Sequence, residues 1–131
     1  MEALAIIRAI LLANADVTAK RSGSVYSNAA PQDAPLPNAV MMAVGGGEGL
    51  SHSGPDGLRH ERVRIWARGR TADTANALGM AIDKALNGYG GTIAGAHVQL
   101  VAKVMTTSNY SDSAELHLSI IDFRIHWSAA A

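Results

Sequence analysis

Between Leu58 and Gly88 the chain changes its hydrophobic period once, and that change constrains the fold more than any other feature. From Arg59 to Ala67 the residues alternate, with Val63, Ile65 and Ala67 on one face and Arg62, Arg64 and Trp66 on the other. This is the period-2 signature of a half-buried strand. After a tight turn, Ala75, Leu78, Ile82 and Leu86 share one helical face, opposite Asp73, Asn76, Asp83 and Lys84. Thr71 is placed to cap this helix, and Asp73 sets a negative charge near the positive end of its dipole. Asn87 and Gly88 end it, since glycine reaches the left-handed closing conformation. A strand and a helix that each have one apolar face must bury those faces together.

The flanking sequence supplies the rest of a sheet. From Glu2 to about Ala15, Leu4, Ile6, Ile7, Ile10 and Leu11 form a broad apolar stripe, which predicts one core-facing helix. Ala5, Ala9 and Ala13 form a shallow ridge on its other side. Asp16 to Asn28 is short and polar, with Val25 and Tyr26 as a candidate brief strand. Pro31, Pro35 and Pro37 forbid a helix and predict an extended lead-in to an edge strand at Asn38 to Val44, whose continuous apolar run predicts cover on both faces. Gly45 to Gly57 contains six glycines and one proline in thirteen residues and reads as a flexible hairpin loop. It is no phosphate loop, because no Lys-Ser/Thr pair follows a GxxxxG and no helix opens after the glycines. His97 to Met105 reads as a strand and Thr106 to Ser113 as a polar loop. Glu115 to Trp127 reads as a long strand whose apolar phase slips from Leu116, Leu118 and Ile120 to Ile121, Phe123, Ile125 and Trp127, which predicts either a β-bulge or a strand that leaves one packing environment for another. Ser128 to Ala131 reads as a short tail. The expected fold is therefore α+β, a mainly antiparallel sheet of four to five strands with two helices packed on it, in the order helix, two strands, helix, two strands.

Composition narrows function by exclusion. A chain of 131 residues with 48% hydrophobic content suits a single domain over residues 1–131. Eleven Lys plus Arg balance eleven Asp plus Glu, so net charge gives no push toward nucleic acid or an anionic membrane. Locally the balance fails: Arg59, Arg62, Arg64, Arg68 and Arg70 crowd into twelve residues that hold one acid, Glu61. No cysteine is present, which removes disulfides and thiolate chemistry. No basic leader opens the sequence and no apolar run approaches the roughly 20 residues of a membrane span, so the expectation is a soluble protein without its own export signal.

Catalytic signals are lacking. The histidines at 52, 60, 97, 117 and 126 show no ligand spacing on one helix, so no metal and no cofactor is expected. The serines lack a GxSxG-like turn, and no enzyme activity is assigned. The arginine face has three readings: arginine stems covering apolar surface at a solvated edge with Trp66 between them, contact with DNA phosphates, or ion pairs within or between subunits. Trp66 alone is too little aromatic surface for a single-strand RNA binder. Met80, near Asp73, Asn76 and Asn87 on the polar side of the helix, suits a partner surface.

Four segments together resemble a known family. They are the amino-terminal helix, Ala30-Pro31 and Leu36-Pro37 ahead of an apolar strand, RVRIWARGRTADTANALGMAIDKAL, and the late strand IIDFRIHW. They look like the tail-completion or tail-terminator proteins of long-tailed phages and phage-like gene transfer agents. Val63, Ile65, Trp66, Ala67, Leu78, Ala81, Ile82, Ala85 and Leu86 match the family's strand and helix, and Asp122, Phe123 and Arg124 match its late strand. The resemblance implies a structural virion protein, assembled in the host cytoplasm, that forms a ring of six copies on the head-proximal end of the tail tube. Such a ring stops tube growth and presents the docking surface for the neck or head; a neck or head-closure protein of the same particle is the alternative. A small nucleic-acid-binding domain or an enzyme stands further off. The implied partners are other copies of the chain, the tail tube protein and the neck or head-closure protein, with DNA passing through without sequence-specific binding and no membrane involved. In that setting Arg62, Arg64, Arg68 and Arg70 are candidates for the subunit seam or the lumen. Gly46, Gly47, Glu48, Asn109, Tyr110 and Met80 are candidates for partner contacts.

Overall fold

The alternation around Val63 and Ile65 builds the middle of a six-stranded sheet in the computed structural model, which describes residues 3–51 and 54–129 and, along 47–51 and 54–57, the backbone only. The elements are α1 (Ala3–Ala13), α2 (Ala15–Lys20), β1 (Val25–Ser27), β2 (Asn38–Ser51), β3 (Gly54–Gly69), α3 (Ala72–Leu86), β4 (Gly91–Ile93), β5 (Ala96–Ser111) and β6 (Leu116–Ala129). The strand order is β1-β2-β3-β6-β5-β4, with β1 parallel to β2 and every other pairing antiparallel. The fold is α+β as expected, with six strands and three helices in place of four to five and two.

The extra helix arises at Asn14. The apolar spacing holds through Ile6, Ile7, Ile10 and Leu11, all buried. The Asn14 side chain then accepts from the Asp16 and Val17 amides, both at 3.0 Å, and starts α2 as its cap. The expected helix thus ends at Ala13, and a second one, Ala15–Lys20, falls in the stretch that reads as short and polar and buries Val17. Arg8 Nε donates to the Val25 carbonyl at 3.1 Å and ties α1 to β1. Because β1 covers residues 39–41, β2 is not an edge strand there. Cover on both faces holds from Asn38 to Met41, all buried, and fails beyond, where Met42 and Val44 are 38% and 41% exposed.

The glycine stretch departs furthest from expectation. Strand pairing continues through it, with Gly46 opposite Glu61 and Glu48 opposite Arg59, so residues 45–51 and 54–57 belong to β2 and β3. Ladder hydrogen bonds use backbone groups that glycine also has, and β3 supplies the template. His52 and Ser53, at the tip of the expected loop, lie outside the described residues. The polar stretch 106–113 is likewise strand through Ser111, because β6 pairs with it up to Leu116. Ser128 and Ala129 belong to β6; the rest of the expected tail lies outside the described residues.

The phase slip in β6 has another cause than a bulge. Strand β6 holds one unbroken register with β3, while the register shifts fall in β5 near Gln99 and Val104 and in β2 near Val44. Ile121, Phe123, Ile125 and Trp127 are buried toward the helices, and Leu118 and Ile120 are half-buried on the far face. Both faces are apolar at that end, so two sets overlap without a slip.

Helix α3 is held as its sequence predicts. Thr71 Oγ1 accepts from the Thr74 amide at 3.2 Å, and Thr74 Oγ1 accepts from the Thr71 amide at 3.4 Å, a reciprocal capping box. Asn87 caps the other end and Gly88 follows at φ +85°. Ala75, Leu78, Ala81, Ile82 and Leu86 are buried; Leu78, Ala81, Ile82 and Leu86 join one cluster with Val63, Ile65, Phe123 and Ile125, each large side chain adding about 1.5–3 kcal/mol. Gly79 sets how closely α3 lies on β6: a Cβ there would stand 2.3 Å from Ser119 Oγ and 2.8 Å from its Cβ. Gly79→Ala therefore destabilises the protein by about 1–3 kcal/mol through overpacking, despite the ~1 kcal/mol that alanine gains in helix propensity. A lowered urea midpoint at unchanged slope is the expected reading.

Candidate functional site

The helices cover one face of the sheet, and the other face carries the charge. In β3 the residues turned away from the core are His60, Arg62, Arg64, Trp66 and Arg68; opposite them in β6 stand His126, Arg124, Asp122, Ile120 and Leu118. Position by position the open face runs from polar and charged side chains to a mainly apolar end that keeps Arg68. His60 and His126 face each other at a ring separation of 6.0 Å, next come Arg62 and Arg124, then Arg64 and Asp122, and beyond them Trp66 with Ile120 and Arg68 with Leu118.

Asp122 is the hub. Its side chain is 0% exposed. Arg64 grips it with two bonds, Nε to Oδ1 at 2.8 Å and Nη2 to Oδ2 at 3.0 Å. Arg62 adds Nε to Oδ2 at 2.8 Å and Nη2 to Oδ2 at 2.7 Å. Burial alone would raise the Asp122 pKa, but hydrogen bonds and charge from Arg64 and Arg62 outweigh it and hold the carboxyl below its ordinary 3.8. The same hydrogen bond and charge raise the Arg64 pKa. Four charge-assisted contacts converge on one carboxylate, and the buried charge is fully paired.

Of the three readings of the arginine face, ion pairing within the chain is realised for Arg62 and Arg64. Arg68 is half-buried and lines a shallow groove of about 400 Å³ with Val40, Met42, Trp66 and Leu118, and Arg70 is exposed just past β3. His60 falls on this face by the alternation of β3, while Arg124 and His126, which face Arg62 and His60, were not among the expected site residues. The signal was parity: Asp122, Arg124 and His126 alternate with Phe123 and Ile125 as Arg62 and Arg64 do with Val63 and Ile65.

The expected partner contacts fall in two separate places. Gly46 and Gly47 pair with Glu61 and His60, and a Cβ at Gly46 would stand 2.4 Å from the His60 carbonyl oxygen, so glycine permits close strand contact there. Glu48 pairs with Arg59 along the backbone. Asn109 and Tyr110 sit at the other end of the strands, paired with Leu118 and His117. Tyr110 packs on His117 at 4.8 Å, and its amide is taken by Asn109 Oδ1 at 2.8 Å. Met80 is 64% exposed and lines a groove with Asp83, Thr106 and Ser108, which brings it beside β5. Lys103 bonds Asp83 at 2.9 Å and fixes α3 to that strand. Among the described residues no cluster of three or more His, Cys, Asp or Glu could hold a metal, and no helix is long and apolar enough to cross a membrane.

The Asp122 cluster sets a pH dependence whose sign follows from its lowered pKa. The stability it contributes is present above the unfolded carboxylate value, about 3.9, and is lost as pH falls through the folded value. At neutral pH Asp122→Asn should cost about 1.5–3 kcal/mol in urea unfolding, the range for hydrogen bonds to charged groups. The gap between wild type and variant should close on acidification below about pH 4.

The fold is shared with a known protein. A chain in a structure of the virion of a native gene transfer agent particle shares the fold, with a TM-score of 0.73 over 97% of this chain and 95% of that one, at 18% sequence identity. No curated protein matches in sequence. The family described as tail completion protein gp17 matches residues 5–127. With nearly its whole length matched, the chain belongs to the tail completion protein family and is a structural component of the phage-type tail.

Proposed function

We propose that the protein forms a ring, of six copies, on the head-proximal end of the tail tube, where it ends tube polymerisation and offers the surface to which the neck or head docks. Family membership supports the place, and the reach of the two hairpins supports the manner. Strands β2, β3, β5 and β6 have 14, 16, 16 and 14 residues, against a usual five or six. At about 3.3 Å per residue such strands run on the order of 45–50 Å. The helices cover only part of that length: in β5 the last buried residue is Val101, and ten residues follow. Strand in excess of what the chain itself covers is the observation that carries the reading.

Binding energy from ring and stacking interfaces is enough for this role, and no bond chemistry is required. Arg62 and Arg64 serve the fold through Asp122, so of the four seam candidates Arg68 and Arg70 remain available to a subunit seam. DNA passes through the ring without sequence-specific contact, and the tail tube and neck or head-closure proteins are the axial neighbours.

Two measurements test this. Particles made without the protein should carry tails of irregular, extended length that fail to join heads in electron micrographs; uniform tails joined to heads would remove the assignment. Arg68→Glu combined with Arg70→Glu should weaken self-association about tenfold or more, equivalent to ~1.4 kcal/mol. Light scattering reads this as lost ring mass, while the urea midpoint stays within about 0.5 kcal/mol of wild type.

A further inference from the structure

Among the described residues, both long borders of the sheet end in backbone with no strand beside it. On one side, β4 covers residues 96–98 of β5, and the chain after α3 adds bonds from Gly88 N to Val101 O at 2.7 Å, from Val101 N to Tyr89 O at 3.0 Å and from Lys103 N to Asn87 Oδ1 at 3.1 Å. Residues 105–111 then continue in unbroken register with β6, and among the described residues no strand lies outside them. The Tyr110 amide reaches Asn109 Oδ1 and so points away from β6; by the two-residue alternation of an antiparallel ladder, the amides of Thr106 and Ser108 point outward too. On the other side, β1 stops at the partner of Met41, and among the described residues nothing pairs with the outer border of residues 42–51.

The β5 border lacks the devices that keep edges apart. Its sequence, MTTSNYS, has no charge and no proline and is rich in β-branched and hydroxyl side chains, whereas protected edges carry lysine, proline or inward charges. Apolar side chains flank it, Met105 at 37% and Met80 at 64% exposed, and Met42 and Val44 flank the other border at 38% and 41%.

We infer that residues 105–111 of one copy pair, as an added antiparallel strand, with the open border of β2, residues 42–51, of a second copy of this chain. The inference rests on the ring reading for its partner and adds which surfaces meet. Three observations select this pairing. Strands β2, β3, β6 and β5 alternate in direction, so a neighbour in the same orientation presents β2 antiparallel to β5. Pairing β5 with β5 about a two-fold axis would leave the β2 border open, whereas head-to-tail pairing uses both and repeats until the ring closes. The open part of β5 lies level with the start of β2, through Asn109, Leu118, Arg68 and Asn38, and the open part of β2 lies level with the start of β5. Neighbours must therefore be displaced along the strands, which a closed sheet accommodates by strand tilt.

The chain has no cysteine, so introduced thiols are its only ones. Particles carrying Met42→Cys, Ala43→Cys or Val44→Cys, each combined with one cysteine at a position from 105 to 111, are oxidised mildly and this protein is resolved by size without reductant. At least one combination should give a ladder of disulfide-linked multimers, and each single-cysteine variant should remain monomeric. A single cysteine in 105–111 that yields dimers would replace the pairing by a two-fold one and overturn the inference. So would the absence of a ladder in every combination. Either failure leaves the ring reading to be judged by tail length in particles lacking the protein.

Discussion

Eleven consecutive residue pairs, from Arg59 with Trp127 to Gly69 with His117, join β3 to β6 without a shift, and the other strands and all three helices take their places from that register. A slip of one residue would turn β6 over relative to β3, carrying Phe123 and Ile125 out to water and pushing Asp122 beneath α3, away from Arg62 and Arg64. A slip of two would keep the faces but draw Asp122 away from the arginine fork that neutralises it. Hydrophobic burial on one side and charge pairing on the other thus demand the same alignment. Their agreement is a local case of a minimally frustrated sequence.

The parts of this fold that could be read from sequence are those decided locally. The β3 alternation, the Thr71 cap, the buried face of α3 and its end at Asn87 and Gly88 depend on residues within a few positions of one another. What escaped reading depends on distant partners. Glycines 45–47 look like a loop because glycine disfavours any one conformation, yet β3 lies alongside and turns them into strand. Residues 106–111 look like a loop because their side chains are polar and mostly exposed, yet the strand is held by backbone bonds to β6. Residues 15–20 give little helical signal because they are short and polar, yet the Asn14 side chain caps them and starts a new helix. The arginine-rich strand advertised itself, but its acid lay 58 and 60 residues away, and only the pairing of β3 with β6 brings them together.

That pairing changes what the arginines mean. Five cations in twelve residues invite a nucleic-acid reading, but two of them are committed to a buried carboxylate and the positive character of the open face is reduced by one unit. The remaining face grades from histidine and arginine at one end to tryptophan, isoleucine and leucine at the other. A gradient of that kind suits contact with folded protein, whose surfaces mix charge and apolar area, better than it suits a uniform polyanion.

The sheet has helices on one side only, and this divides the chain by the parity of its positions. From Arg62 to Gly69 in β3 and from Leu118 to Trp127 in β6 the odd-numbered residues answer to the core, where a change of one methylene group is felt. The even-numbered ones answer to whatever lies outside, apart from Arg62, Arg64 and Asp122. Side chains on the outer face can therefore change without disturbing the interior, and a chain only 18% identical in sequence superposes on this one at a TM-score of 0.73.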